Sequence, residues 1–400
     1  MTAAPHRARS AVALFGGVAA SAMGYTMMVA VLPLAAEDLL GSPRWSGVPG
    51  SLGTLGVAIG VGWLASMMSR RGRRFPLVLG YCASALAAAV AALGAALDIF
   101  PIMAGATFVM GTGYAASRLS RYAAAELYEP AKRSAAIGWN VWGATIGSVV
   151  GPLLLSATQR GAASLGWPLL VGPFAVAAVA FAVSALVLRM LYAADGRVAE
   201  ARTGSVPLPN DDADASVQLA VIALVVGQVV MILIMTMTPV YIRQGGQGMD
   251  TVGIVFASHT FGMFAMSPVA GLLSDRFGRV SMIVAASVVL VAAGLLAAAA
   301  DPASPWLAVA LFLLGLGWCF SFVAASALLT ESVGMARRVR VQAVADALVW
   351  GSAAVAGFSS GHVLFAVGYQ TLSYLGAGLA LLPLLFVRRP VPRRDAVQPT

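Results

Sequence analysis

The sequence strands a few chemically capable side chains inside long apolar runs. Arg118 lies one helical turn beyond Tyr114 in GYAASRLSRYAAAE (residues 113–126), where small neighbours would let an arginine face other helices. Ionisable groups at such depth pair with one another or line a pathway. Arg121, a turn further on, is placed to snorkel toward a surface. His259 sits roughly 12 Å inside its run, where an imidazole either titrates near neutral pH and carries protons or stays neutral and bonds a carbonyl. Asp346, one turn after Gln342, is either a gate carboxylate for Arg337, Arg338 or Arg340, or a helix-end charge satisfied by its neighbours. Tyr25 with Thr26, Asn140 with Trp142, Gln228, and Trp318 with Ser321 offer an apolar cavity a few orienting hydrogen-bond groups. Catalysis is not indicated: no paired buried acids, metal-ligand spacing or nucleophile motif occurs. Cys82 and Cys319 lack CxxC spacing and read as small packing residues, so neither metal, cofactor nor enzyme is expected.

The elements that must position these groups are membrane spans. About twelve apolar runs alternate with short polar turns, and 60% hydrophobic, 10% charged and 43 Gly with mean hydropathy +0.86 do not suit a soluble core. Of 25 basic residues, only Arg44, Arg160 and Arg243 fall in odd-numbered connections. The remaining 22 lie at the two ends of the chain and in or beside even-numbered connections, which places both termini in the cytoplasm. The net charge of +9 is explained by topology and anionic headgroups, without nucleic acid. The basic start before the first run resembles a signal peptide but reads as an uncleaved first helix. Residues 192–216, rich in Asp with Pro207 and Pro209, read as a cytoplasmic linker. They divide a bundle at 1–191 from one at 217–400 with its basic tail. The fold expected is therefore all-α and integral to the membrane, with 12 spans in two pseudo-symmetric six-helix bundles. Among these, spans 5, 8, 11 and 12 are predicted at roughly 134–157, 251–273, 342–364 and 369–387.

The halves echo each other. SRRGRR (residues 69–74) and SDRFGRV (residues 274–280) place Gly72 and Gly278 206 positions apart, and Val-Trp-Gly occurs at 141–143 and again at 349–351. Two echoes at nearly one offset point to duplication of a six-helix unit, an architecture of transporters with a midplane cavity.

The second basic turn, GLLSDRFGRV (residues 271–280), resembles the cytoplasmic-loop signature of the major facilitator superfamily at Gly271, Asp275, Arg276, Gly278 and Arg279. Gly278 permits a tight turn, and Asp275 can pair with Arg276 or Arg279, so the cluster reads as a latch that breaks as the halves rock. Arg70, Gly72 and Arg73 hold the corresponding place in the first half, where Ala65 and Ser69 replace the signature's Gly and Asp. Gly138, Gly147, Gly151 and Pro152 in span 5 resemble the glycine pattern of exporters in this superfamily, without its terminal Gly-Gly. The arginine common in the outer half of span 4 is absent near residues 107–111.

The resemblance implies a monomeric transporter in a bacterial cytoplasmic membrane, working by alternating access. It is expected to export a small organic compound, a drug or metabolite, by proton antiport. Proton-coupled uptake of a nutrient such as a vitamin or sugar is the alternative, and a non-transporting sensor a minor one. With Arg118 and His259 available and no midplane carboxylate in spans 1, 4, 7 or 10, a neutral or anionic substrate is favoured.

Overall fold

The computed structural model describes residues 3–128, 133–192, 211–333 and 335–387, so most of the linker and the basic tail lie outside the described residues. Among the described residues the chain forms helices and short turns, with no strand. A chain this apolar must satisfy its backbone internally in lipid, and helices do so within each segment.

The first half contains α1 (Ala3–Leu40), α2 (Val48–Arg71), α3 (Arg74–Ala96), α4 (Phe100–Glu126), the broken pair α5 (Arg133–Leu153) and α6 (Leu155–Ser164), and α7 (Val171–Leu191). The second contains α8 (Asp211–Gln244), the bent pair α9 (Met249–Phe264) and α10 (Ser267–Phe277), α11 (Arg279–Ala299), α12 (Pro305–Ser332) and α13 (Met335–Leu379). Counting each broken pair once and dividing α13 at Gly368 gives six helical segments per half; among the described residues eight helices, or nine with α9 and α10 taken as one, are long and apolar enough to cross a membrane.

Two spans are interrupted along their length. Span 5 breaks at Leu154, directly after Pro152, whose ring cannot donate to the ladder. Span 8 bends by 40° between Phe264 and Ser267. Spans 11 and 12 meet at Gly368, whose φ of 78° suits glycine and turns the chain within the connection expected between residues 364 and 369. The tight turns at Gly72 (φ 73°) and Gly278 (φ 89°) separate α2 from α3 and α10 from α11.

Glycine contacts set the spacing of the helices and repeat the duplication in three dimensions. In α2 and α4, a Cβ on Gly56 would overlap the Phe108 carbonyl, and one on Gly111 the Gly53 carbonyl. In α9 and α12, Gly262 stands in the same way against Phe312 and Gly315 against His259, each 204 to 206 positions further along. Small residues at such contacts let backbones touch, which is the main source of helix affinity in lipid.

The two ends of the molecule are unlike. One carries the turns at residues 40–47, 244–249 and 299–305 and few arginines; the other carries the turns at 71–74 and 277–279 and many. One apolar core runs through both halves, including Met28, Leu32, Ile234 and Val240 toward the Arg-poor end. Toward the Arg-rich end, Leu219, Met282, Ala324, Leu329 and Ala345 of the second half form a separate core.

Candidate functional site

Between the halves lies a cluster of aromatic rings around one arginine. Tyr25 of α1 and Tyr114 of α4 stack in parallel, centroids 3.9 Å apart at 3°, with Phe181 edge-on to Tyr114 at 6.2 Å. One turn along α4, the Arg118 guanidinium lies 5.9 Å from the Tyr114 ring and 5.6 Å from the ring of Trp350, which belongs to α13 in the other half. Its buried Nε has no hydrogen-bond partner.

The polar groups of the second half are already tied to one another. Trp318 Nε1 donates to Gln228 Oε1 at 2.8 Å, its ring stacks on Phe322 at 4.9 Å, and Phe264 meets it edge-on at 6.3 Å. Ser321 donates to the Ala223 carbonyl, and Thr26 to that of Ala22. Asn140 donates to Ser120 Oγ at 2.9 Å. Trp142 is not brought to the cluster: it stands with Trp139 and Ile146 on an exposed stripe of α5.

His259 is sealed in the second half. It is 0% exposed, its Nδ1 lies 2.9 Å from the Leu311 carbonyl, and its Nε2 has no partner. That seating matches the packing alternative for this residue, because water does not reach the ring. Asp346 is exposed on α13 and feels the charge of Arg121 across the divide on α4. Arg121 is thus its cationic neighbour in the other half, whereas the side chains of Arg337, Arg338 and Arg340 lie outside the described residues.

The Arg-poor end is closed by contacts between halves. Arg243 of α8 pairs with Glu37 and, at 2.7 Å, with Asp38 of α1. Gln244 donates to Glu37 at 3.3 Å. A Cβ on Gly47 would overlap the Gly357 carbonyl, and one on Gly361 would lie 2.6 Å from that of Arg44. Trp45 meets the His362 ring edge-on at 5.0 Å. Beside these, α5 packs on α9: Thr260 donates to the Ser148 carbonyl at 2.9 Å, and Gly253 abuts the Pro152 carbonyl. Gly143, Gly147 and Gly151 face α1 one turn apart, against Phe15, Ala19 and Met23. Thus the broken span 5 holds α1 on one side and the other half on the other, while the surroundings of Gly138 lie outside the described residues. A separate cavity of about 450 Å³ sits at this end beside Gly368, lined by Tyr241, Gln244, Tyr369 and Gln370 among others.

At the Arg-rich end the basic turns bind within their own half. Arg279 donates to Glu331 of α12 at 2.9 Å and to Asp275 at 2.5 Å. Arg73 makes the same bond to Glu126 of α4. Arg276 lies over Phe277, and Arg70 is exposed. In this state the Asp275 cluster therefore braces α10, α11 and α12 together, and among the described residues its bonds stay within the second half. Glu331 was not singled out in the sequence, and Glu126 reads there as part of a loop charge cluster with Glu129, Lys132 and Arg133, although the spacing of 205 between the two acids is within one of the 206 between Arg73 and Arg279. Because Glu331 remains bound to Arg279, Asp275→Asn is expected to change the initial transport rate by less than about twofold in membrane vesicles. A loss of most activity would restore the latch.

Two six-span halves closed at one end around a central aromatic cluster define a membrane transporter of a small molecule. The chain belongs to the Major Facilitator Superfamily, whose sequence model matches residues 14–251 and 219–400. It is 33% identical over 383 residues to the uncharacterised transporter YddS of Bacillus subtilis, covering 92% of this chain and 86% of that one. It is 30% identical to the riboflavin transporter RfnT of Brucella anthropi, covering 98% of each. Among solved structures, a bacterial homologue of the lysosomal transporter Spinster, inward-facing and unoccupied, aligns over 96% of each chain with a TM-score of 0.71 at 14% identity. The human organic anion transporter MFSD10 aligns over 95% of this chain and 99% of its own with a TM-score of 0.64 at 16% identity. These likenesses make it a multi-pass membrane transporter and not an enzyme.

Proposed function

We propose that this chain exports a small organic compound from the bacterial cytoplasm by alternating access, in exchange for protons. The observation that carries the reading is the one-sided seal: every named ion pair at the Arg-poor end joins the two halves, while those of Arg73 and Arg279 at the other end stay within theirs. By the positive-inside bias the Arg-rich end is cytoplasmic, so the central cluster loads from the cytoplasm of the inner membrane. Incomplete as its motif is, span 5 contributes to the outer closure through the carbonyls of Ser148 and Pro152, which meet Thr260 and Gly253 of the other half.

Proton exchange needs an acid that both halves can influence. Among the described residues Asp346 is the one carboxylate within the spans read from sequence, and its cationic neighbour Arg121 lies across the divide. Intramembrane acids of this kind serve as proton relays. Asp346→Asn is expected to abolish accumulation driven by a proton gradient while gradient-free exchange of the same compound continues. Loss of both, or of neither, would place the coupling elsewhere.

A second reading, uptake, is favoured by the relative that transports riboflavin and aligns along nearly the whole chain. Both readings are tested by one experiment. Inverted and right-side-out vesicles are given an imposed proton gradient and pooled compounds that include riboflavin, and contents are read by mass spectrometry against empty-vector vesicles. Gradient-dependent filling of inverted vesicles means export. Filling of right-side-out vesicles alone means uptake.

A further inference from the structure

A cation at the middle of a transporter normally has a visible counter-charge. Arg118 has none: among the described residues it makes no ion pair and no hydrogen bond, and its buried Nε is unsatisfied. Its guanidinium is held by two aromatic faces, which stabilise a cation but leave its hydrogen-bond donors open. Leaving such donors unpaired at depth is costly, and the fold does not correct it with any neighbouring acid.

We propose that the missing partner is the cargo, and that Arg118 anchors the acidic group of a flat aromatic anion whose ring lies against Tyr25, Tyr114 and Trp350. This rests on the transporter reading and names the substrate class of that same site. Three observations converge on it. The parallel Tyr25–Tyr114 pair is a flat platform that a further ring can extend. Of the other polar groups expected to orient a ligand, Trp318 and Gln228 satisfy each other, while the orphan atom of Asn140 is an oxygen acceptor that repels an anion. Trp350 comes from the opposite half, so a ligand held by Arg118 and Trp350 touches both bundles at once. Differential contacts of that kind are what a substrate needs to shift the balance between two states.

The test uses purified full-length protein in nanodiscs and three probes: 2-naphthoate, its neutral amide 2-naphthamide, and cyclohexanecarboxylate, an acid without a flat ring. Calorimetry is expected to show naphthoate binding about tenfold to a hundredfold more tightly than either control, the range of a hydrogen bond to a charged group. Arg118→Gln should erase the difference between naphthoate and naphthamide and leave naphthamide affinity unchanged. Arg118→Lys, which keeps the charge but not the planar fork, should recover part of it. Trp350→Leu should weaken both naphthyl probes by about threefold to tenfold and spare cyclohexanecarboxylate. Equal binding of acid and amide by the native protein, or an equal loss of both in Arg118→Gln, would overturn the proposal. The transport reading fails separately, if naphthoate binds as described but neither vesicle orientation moves it or any pooled compound.

Discussion

Gly47→Leu leaves the protein unable to close its outer face, and transport of any substrate falls by about a hundredfold. Gly47 ends the turn before α2 and lies directly on the backbone of Gly357 in α13, where even a Cβ would overlap a carbonyl oxygen. That oxygen belongs to a helix and cannot swing aside as a side-chain tip would. Overpacking costs about 1–3 kcal/mol where side chains can adjust, and backbone overlap lies at or above the upper end. Set against a conformational equilibrium, a penalty of about 3 kcal/mol on one state alone removes it from the population by roughly a hundredfold. Each half still folds, because the contact is made only when the halves meet.

The readout follows from burial. Ser360 is 0% exposed beside this contact. With Cys82 and Cys319 replaced by Ala, Ser360→Cys should react slowly with a membrane-impermeant thiol reagent in the native background and rapidly in Gly47→Leu. Gly50→Leu is the control, since a Cβ there meets nothing within 4 Å. Unchanged labelling in Gly47→Leu would show that the seal does not depend on this approach.

The layout of the chain was legible because apolar length, the side on which arginines fall and a repeat offset are properties of a one-dimensional string. The break after Pro152 was legible for the same reason, since proline lacks the donor wherever it sits. The connection at Gly368 was legible too, as the gap between apolar runs ending at 364 and resuming at 369, although nothing local marks that glycine among 43 as the turning residue. Tyr25, Tyr114 and Arg118 stood out as polar groups at depth, and the structure brings them together. Trp350 did not stand out, although it was half of the Val-Trp-Gly echo. Trp142, the other half of that echo, reads instead as an orienting group beside Asn140 and lies on an exposed stripe away from the cluster, because a helical address does not say which side of a uniformly apolar helix is inside. The outer bridge of Arg243 to Glu37 and Asp38 was invisible for another reason. Each charge sits unremarkably at a span end, and only packing of α1 on α8 makes them partners. Glu126 reads in the sequence only as a loop charge, and its counterpart Glu331 could have been found by applying to acids, within one residue, the offset already seen in Gly72 and Gly278.

The same duplication makes the second large effect a paired one. Gly111→Leu and Gly315→Leu are expected each to prevent assembly of their own half, and to do so to a similar extent. In α4, Gly111 stands against the Gly53 carbonyl of α2; in α12, Gly315 stands against the His259 carbonyl of α9. No side chain separates either pair, so a leucine must push two helix axes apart along their length. It thereby forfeits the dispersion contacts that hold helices together in lipid. The loss is about 3 kcal/mol or more per site, which is a large share of the stability of an ordinary domain. His259 adds a constraint in the second half alone. Its ring is bonded to the Leu311 carbonyl of α12, one turn before Gly315, so displacement of α12 also strips a buried imidazole of its partner. The expected order is therefore Gly315→Leu slightly worse than Gly111→Leu, with Gly105→Leu, where a Cβ meets nothing within 4 Å, near native. Yield of monodisperse protein and its melting temperature in one detergent measure all three. If Gly105→Leu proved as damaging as the other two, close backbone approach would not be what spaces these helices, and the shared offset would be a matter of ancestry alone.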